Sequence, residues 1–410
     1  MGEQESTEIR RRLKGLGRKK SSKTKTGERK FTPKDLPNGE VIDSSHGSAY
    51  RIEAQYLLDH QHGDHKLSEV LSFTSNLAAE VARQPNLVDA PLENLLFLDT
   101  ETTGLSGGAG TLVFLVGIGQ FVGDQFRLRQ YFLRDPTEEA GMLHVLKGDI
   151  EQAAGFVTFN GGTFDLPLLE SRYTIALRKR MLLVSSPHMD LLHVSRRLWK
   201  QQLPDCTLGT VENSILGVRR TDADVPGSWI PGMYLDYLRT GDASEMARVI
   251  YHNTIDILSL VSLAGVVLER HNQSDFSSLT EYEALAIARW HQERGRSAPA
   301  ESAFKYAAKT SEDDLRIEAL RRFTTFLKRD GRKHEAVDGW IKWSELAPED
   351  PQPCIELAKY YEWDQKDYAQ ARHWAQTAVQ CLTFWPEDWR RDRFWTELEH
   401  RLQRLQGKIG

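Results

Sequence analysis

Leu95-Leu96-Phe97-Leu98 is an unbroken apolar run that stops at Asp99-Thr100-Glu101. This junction narrows the choice of fold more than any other feature of the chain. A short, wholly apolar run is what a strand covered on both faces looks like, and such strands belong to sheets flanked by helices. Side chains two apart in a strand project to the same side, so Asp99 and Glu101 converge just past the last apolar position. Neighbouring carboxylates raise each other's pKa and resist burial. A divalent cation removes that conflict. Hard ions such as Mg²⁺ or Mn²⁺ take oxygen ligands, and Cys206, Cys354 and Cys381 are too scattered to form a competing thiolate site or a disulfide framework.

The patterning around this junction predicts an α/β domain. Thr111–Phe121 and Gln125–Leu133 alternate like strands across a Gly123-Asp124 turn. Pro136–Gln152 reads as a helix capped by Asp135. Phe156–Phe159 is a fourth strand, Phe164–Arg178 a helix, Leu182–Met189 a fifth strand, and Ala243–Arg270 a long helix. The expected fold is a mixed five-stranded sheet flanked by helices, over residues 91–273. Residues 36–90 are expected to be a lead-in segment packed on that domain, with a strand or two in Ile42–Leu58 and a short helix in Leu67–Val81.

Two further acidic elements follow. Asn160-Gly161-Gly162-Thr163-Phe164-Asp165 closes the fourth strand and opens a helix, where a carboxylate is favoured by the dipole. Taken alone, Asp165 also fits a plain helix cap. Tyr251-His252-Asn253-Thr254-Ile255-Asp256 lies in the long helix, and the four-residue spacing puts His252 and Asp256 on one face. That pair alone also fits an ordinary polar face.

As a set, the strand-end Asp-x-Glu, the post-strand Asp and the late His-x-x-x-Asp resemble the DEDD (DnaQ-like) 3′–5′ exonucleases of the ribonuclease H-like fold. The likeness spans about residues 92–272, and its most specific part is Asp99-Thr100-Glu101-Thr102-Thr103-Gly104. The surroundings resemble YprB-like bacterial proteins. The resemblance implies phosphodiester hydrolysis on single-stranded DNA or RNA, with two Mg²⁺ or Mn²⁺ ions held by Asp99, Glu101, Asp165 and Asp256. It also implies a base near the last Asp. The His form of the family puts His five residues before that Asp, where this chain has Tyr251; the Tyr form puts Tyr four before, where it has His252. The shared helix face and an ordinary imidazole pKa of ~6.5 favour His252 over Tyr251 as the base. Thr102, Gly104, Asn160 and Phe164 are expected to meet substrate, with Gly161-Gly162 letting the backbone approach the terminal nucleotide. The glycine-rich loop 104–110 either drapes over the terminal base or is a flexible hairpin. Asp190 matches a recurrent Asp of the fold and is expected to be structural. The rival readings are a catalytically silent binding scaffold and a structure-selective endonuclease.

His60-Gln61-His62-Gly63-Asp64-His65 spells the HxHxDH signature of zinc hydrolases. That fold needs several strands before the motif, and here a tail precedes it, so a structural polar loop is the expectation. Residues 1–35 are rich in Lys, Arg, Ser, Thr and Gly and are expected to be a disordered basic tail, either an arm for nucleic acid or a solvated extension. The net charge of −5 does not by itself suggest a nucleic-acid binder. Residues 274–410 lose all strand signal. Gly295-Arg296, Gly331-Arg332 and Lys366-Asp367 precede Ala300/Phe304, Ala336/Trp340 and Ala371/Trp374, a period near 34 that resembles tetratricopeptide repeats. These repeats are expected to form an all-α domain with mostly core tryptophans and to bind a protein partner. No apolar run approaches a membrane span of about 18 residues, and cysteine usage suits the cytoplasm.

Overall fold

A computed structural model describes residues 36–104 and 110–409. The basic tail and most of the glycine-rich loop lie outside the described residues. The strands are β1 (Glu40–Ser44), β2 (Gly47–Leu57), β3 (Gln61–His62), β4 (His65–Lys66), β5 (Leu95–Thr102), β6 (Val113–Val122), β7 (Gln125–Phe132), β8 (Gly155–Thr158) and β9 (His188–Asp190). The main sheet has seven strands in the order β1-β2-β7-β6-β5-β8-β9, rather than the five expected. The difference comes from β1 and β2. They extend the β5-β6-β7 meander by antiparallel pairing of β2 with β7, so residues from the lead-in segment are part of the sheet itself. The pairs β5–β8 and β8–β9 are parallel. The last strand is short, because only His188–Asp190 reaches a neighbour.

Among the described residues, six α-helices up to residue 240 accompany the sheet or lie at its edges: α1 (Ser75–Ala82), α2 (Glu139–Gln152), α3 (Asp165–Leu177), α4 (Leu191–Trp199), α5 (Leu208–Val211) and α6 (Ile230–Thr240). Then comes α7 (Met246–Asn272), which starts three residues later than the apolar pattern suggested. It is apolar and long enough to cross a bilayer, but most of it is buried inside the protein. It can lie this close to β6 because β6 carries glycines. A Cβ on Gly117 would sit 2.1 Å from Asn253 Oδ1, and one on Gly119 would collide with Phe126 and Ile257.

Seven helices follow: α8 (Glu281–Glu293), α9 (Ser297–Ala307), α10 (Asp313–Arg329), α11 (Lys333–Leu346), α12 (Pro351–Lys359), α13 (Tyr368–Cys381) and α14 (Trp389–Ile409). Each packs on the next in sequence. Ala300, Ala336 and Ala371 are each the fourth residue of their helix and fully buried. Trp290, Trp340 and Trp343 are core residues, whereas Trp363 and Trp389 stay exposed. One hydrophobic core runs from Leu67 through Phe97, Trp199 and the apolar face of α7 to Trp343 and Tyr360. A smaller one, from Cys354 to Leu405, serves the last helices.

Candidate metal centre and its His252 wall

Four apolar residues of β5, Leu95–Leu98, are at most 1% exposed, so the strand is fixed up to the point where its acids begin. The β5–β6 register then shifts between Glu101 and Thr102. Such an irregularity re-aims side chains at a strand end. Asp99 is held by α7: Asn253 donates from Nδ2 to Asp99 Oδ2 at 2.8 Å, while its own Oδ1 accepts from Gln130 Nε2 at 2.9 Å. Between the two acids, Thr100 points the other way and donates its hydroxyl to Asp165 Oδ1.

Asp165 arrives through a tightly built turn. Asn160 adopts a left-handed φ of 67°, a conformation Asn tolerates better than most residues. A Cβ at Gly161 would lie 2.4 Å from Thr158 Oγ1, so glycine is required there. Asp190 binds this turn, accepting from the amides of Asn160 (2.9 Å) and Gly162 (3.3 Å) while it caps α4 through Leu192 N. Its role is therefore to hold the loop that carries Asp165.

From α7, Asp256 and His252 face Glu101. His252 Nε2 is 3.4 Å from Asp256 Oδ2 and 3.9 Å from Glu101 Oε1. Glu101, His252 and Asp256 form the one group of three potential ligand side chains with converging donor atoms among the described residues. Tyr251 turns away, its hydroxyl 3.4 Å from Thr221 Oγ1. Of the other expected contacts, Asn160 is exposed, Phe164 is half-buried at the N-cap of α3, and Thr102 donates to Gly104 O at 2.8 Å.

The electrostatics fit a cation. Burial, with Asp256 and Asp165 nearby, pushes the Asp99 carboxyl well above its ordinary value. Burial and then Asp99 and Asp256 do the same to Glu101. Burial raises Asp165 to about 6 against the opposing Thr100 hydroxyl bond. Three acids raised in one place, with hard oxygen donors and one imidazole, suit Mg²⁺ or Mn²⁺.

Several residues of this site were not foreseen. Glu212, in a π-helical turn, is 1% exposed and takes a two-point bond from Arg220 at 2.6 and 2.7 Å. The same guanidinium donates to Asp256 Oδ1. Asp224 Oδ1 lies 2.7 Å from His252 Nδ1. The stretch Arg219–Gly227 is polar and aperiodic and reads as a linker in sequence; its only forward signal is the density of charge in Arg219-Arg220-Thr221-Asp222-Ala223-Asp224.

The HxHxDH side chains have separate partners. The His60 ring packs on Tyr56, His62 shares a 2.8 Å bond with Ser259 Oγ, and His65 bonds Glu69 at 3.0 Å. Burial lowers His62 to about 4, so it sits there neutral. The β3–β4 hairpin is packing against α7, in keeping with a structural loop.

Residues 96–268 match the RNase_H superfamily. An uncharacterised protein, YprB, from Bacillus subtilis (strain 168) is 32% identical over 345 residues, covering 81% of this chain and 79% of that protein. The chain belongs to the YprB family. The superfamily match covers every acid described above, from Asp99 to Asp256, and points to a nuclease-type hydrolase. The YprB likeness reaches beyond it, so some of the flanking strands or the helical region are shared as well.

Proposed function

We propose that this YprB-family chain is a metal-dependent 3′–5′ exonuclease of the DEDD type, acting on single-stranded DNA or RNA in the cytoplasm. The observation that carries this reading is the convergence of Glu101, Asp256 and His252 at one end of β5, beside Asp99, whose carboxyl and that of Glu101 are both raised although Arg220 opposes the rise. Asp99, Glu101 and Asp256 would hold the ions directly, with Asp165 behind them through Thr100. When bound, two Mg²⁺ or Mn²⁺ ions supply positive charge against the phosphate and make a water easier to deprotonate. His252 takes the proton from that water through Nε2. Asn160, Phe164, Thr102 and Gly104 line the approach of the terminal nucleotide. The C-terminal helices are tetratricopeptide-like hairpins, and a protein partner would bind there.

The test is cleavage of 5′-labelled single-stranded DNA and RNA with Mn²⁺ or with EDTA. An ion-dependent ladder of shortening products is expected. A single internal cut would make the chain an endonuclease instead. No cleavage, with nucleic-acid binding unchanged in Asp99→Ala, would leave a binding scaffold and sink the enzymatic reading.

A further inference from the structure

His252 Nδ1 has two polar neighbours that give it opposite instructions. Asp224 Oδ1 is 2.7 Å away and Arg220 Nη1 is 3.0 Å away. A carboxylate only accepts and a guanidinium only donates, so the nitrogen can satisfy one of them. If Nδ1 were bare, its lone pair would face an anionic oxygen at 2.7 Å. If Nδ1 carries the proton, that distance is a charge-assisted hydrogen bond. Arg220 loses little in the second case, because it already donates to both oxygens of Glu212 and to Asp256, and its Nη1 lies 3.4 Å from Asp224 Oδ2. We propose that Asp224 is a positioning residue that holds His252 in the Nδ1–H tautomer, leaving the Nε2 lone pair aimed between Glu101 and Asp256.

The segment bearing Asp224 is built to hold it still. Arg248, one turn before His252 on α7, donates to the carbonyls of Asp222, Ala223 and Asp224 at 3.3, 3.3 and 2.8 Å. Asp224 N closes a turn on Thr221 O at 2.9 Å, and the next residue, Val225, is buried. The chain then bends round the ring, so that a Cβ on Gly227 would stand 3.9 Å from Nε2 with nothing nearer. One ring nitrogen is thus tied to Asp224, and the other faces Asp256 Oδ2 at 3.4 Å and Glu101 Oε1 at 3.9 Å. Orienting partners of this kind fix the tautomer of a histidine and sharpen what its second nitrogen can do.

The tautomer claim is independent of substrate; only its kinetic consequence rests on the exonuclease reading. It is tested by long-range ¹H–¹⁵N spectra of the full chain labelled at histidine, in EDTA, with the His252 signals assigned by their loss in His252→Gln. The unaltered chain should show Nδ1 protonated and Nε2 bare. Asp224→Asn, whose carbonyl can still accept, should keep that pattern, whereas Asp224→Ala should move the proton to Nε2. With Mn²⁺ and single-stranded substrate, Asp224→Ala should lower kcat about ten- to a hundredfold, with KM changed less than about threefold. An Nε2–H signal in the unaltered chain, or the same tautomer in Asp224→Ala as in the unaltered chain, overturns the proposal whether or not cleavage is seen. If the tautomer switches as described and no chain cleaves nucleic acid, the positioning role stands and the exonuclease reading fails.

Discussion

Asp165 shows most plainly what burying an acid costs here. Burial raises its carboxyl to about 6, above the unfolded value of 3.8. Between those two values the unfolded chain gives up its proton while the folded one keeps it, so stability falls as pH rises through that window. Above pH 6 the full penalty is present, about 3 kcal/mol from the size of the shift. Asp165→Asn should therefore be more stable than the unaltered chain at pH 7 in EDTA, and no more stable at pH 4. Chemical denaturation at the two pH values measures this; equal gains at both would show that the Asp165 charge is not the cause. At this scale the sequence was informative where residues obey strand or helix geometry. Asp99 and Glu101 follow from period two, and His252 and Asp256 from a spacing of four. Asn253 was hidden because it sits next to His252 in the sequence and reads as one more polar position of the helix. Asp224 and Arg220 were hidden for another reason: they reach the site from an irregular segment, where no periodicity says which way a side chain points.

Among the elements, the β6–α7 contact decides whether the site can form. Asn253 reaches Asp99 only because Gly117 leaves room beneath it, and Asn253 is fully buried with bonds to Gln130 and Asp99. A Cβ at Gly117 would have to displace it. Gly117→Ala should cost about 1–3 kcal/mol, as overpacking does, and should weaken Mn²⁺ binding as Asp99 loses its anchor. Urea unfolding and ion-binding calorimetry read the two effects; stability and affinity both unchanged would mean that α7 is free to move off the strand. The meander β5-β6-β7 and the helices α2 and α3 were visible in the sequence because each has a clean repeat and a turn or cap. The membership of β1 and β2 in the same sheet was not. Their alternation marks strands but does not say which edge they join, and β2 finds β7 far along the chain, from Leu57 with Gln125 to Tyr50 with Phe132, through pairing that only the folded sheet defines.

For the whole molecule, the continuous core makes the nuclease sheet and the first C-terminal helices depend on each other. Glu283 on α8 is buried and receives Trp199 Nε1 at 2.8 Å and Arg270 Nε at 3.2 Å, and the apolar cluster crosses the same boundary. Amide hydrogen exchange should therefore protect α8 to α10 about as strongly as α7. Helix α14, which shares the smaller core, should open at lower free energy. Exchange of α8 to α10 orders of magnitude faster than α7 would show two separately unfolding bodies. The 34-residue rhythm predicts helical hairpins but not this fusion, since repeats describe how helices meet each other and say nothing of what the first one meets. The shared element is α7 itself. At 1.5 Å per residue its 27 residues make a rod about 40 Å long, with Arg270, tied to Glu283, near its C-terminal end and Asp256 well before it, towards the middle. Such a rod is a lever: a tilt of about 3° at the Arg270 end would displace Asp256 by about 1 Å. A load on the helical region that tilted α7 would therefore change the spacing of Asp256 from Asp99 and Glu101.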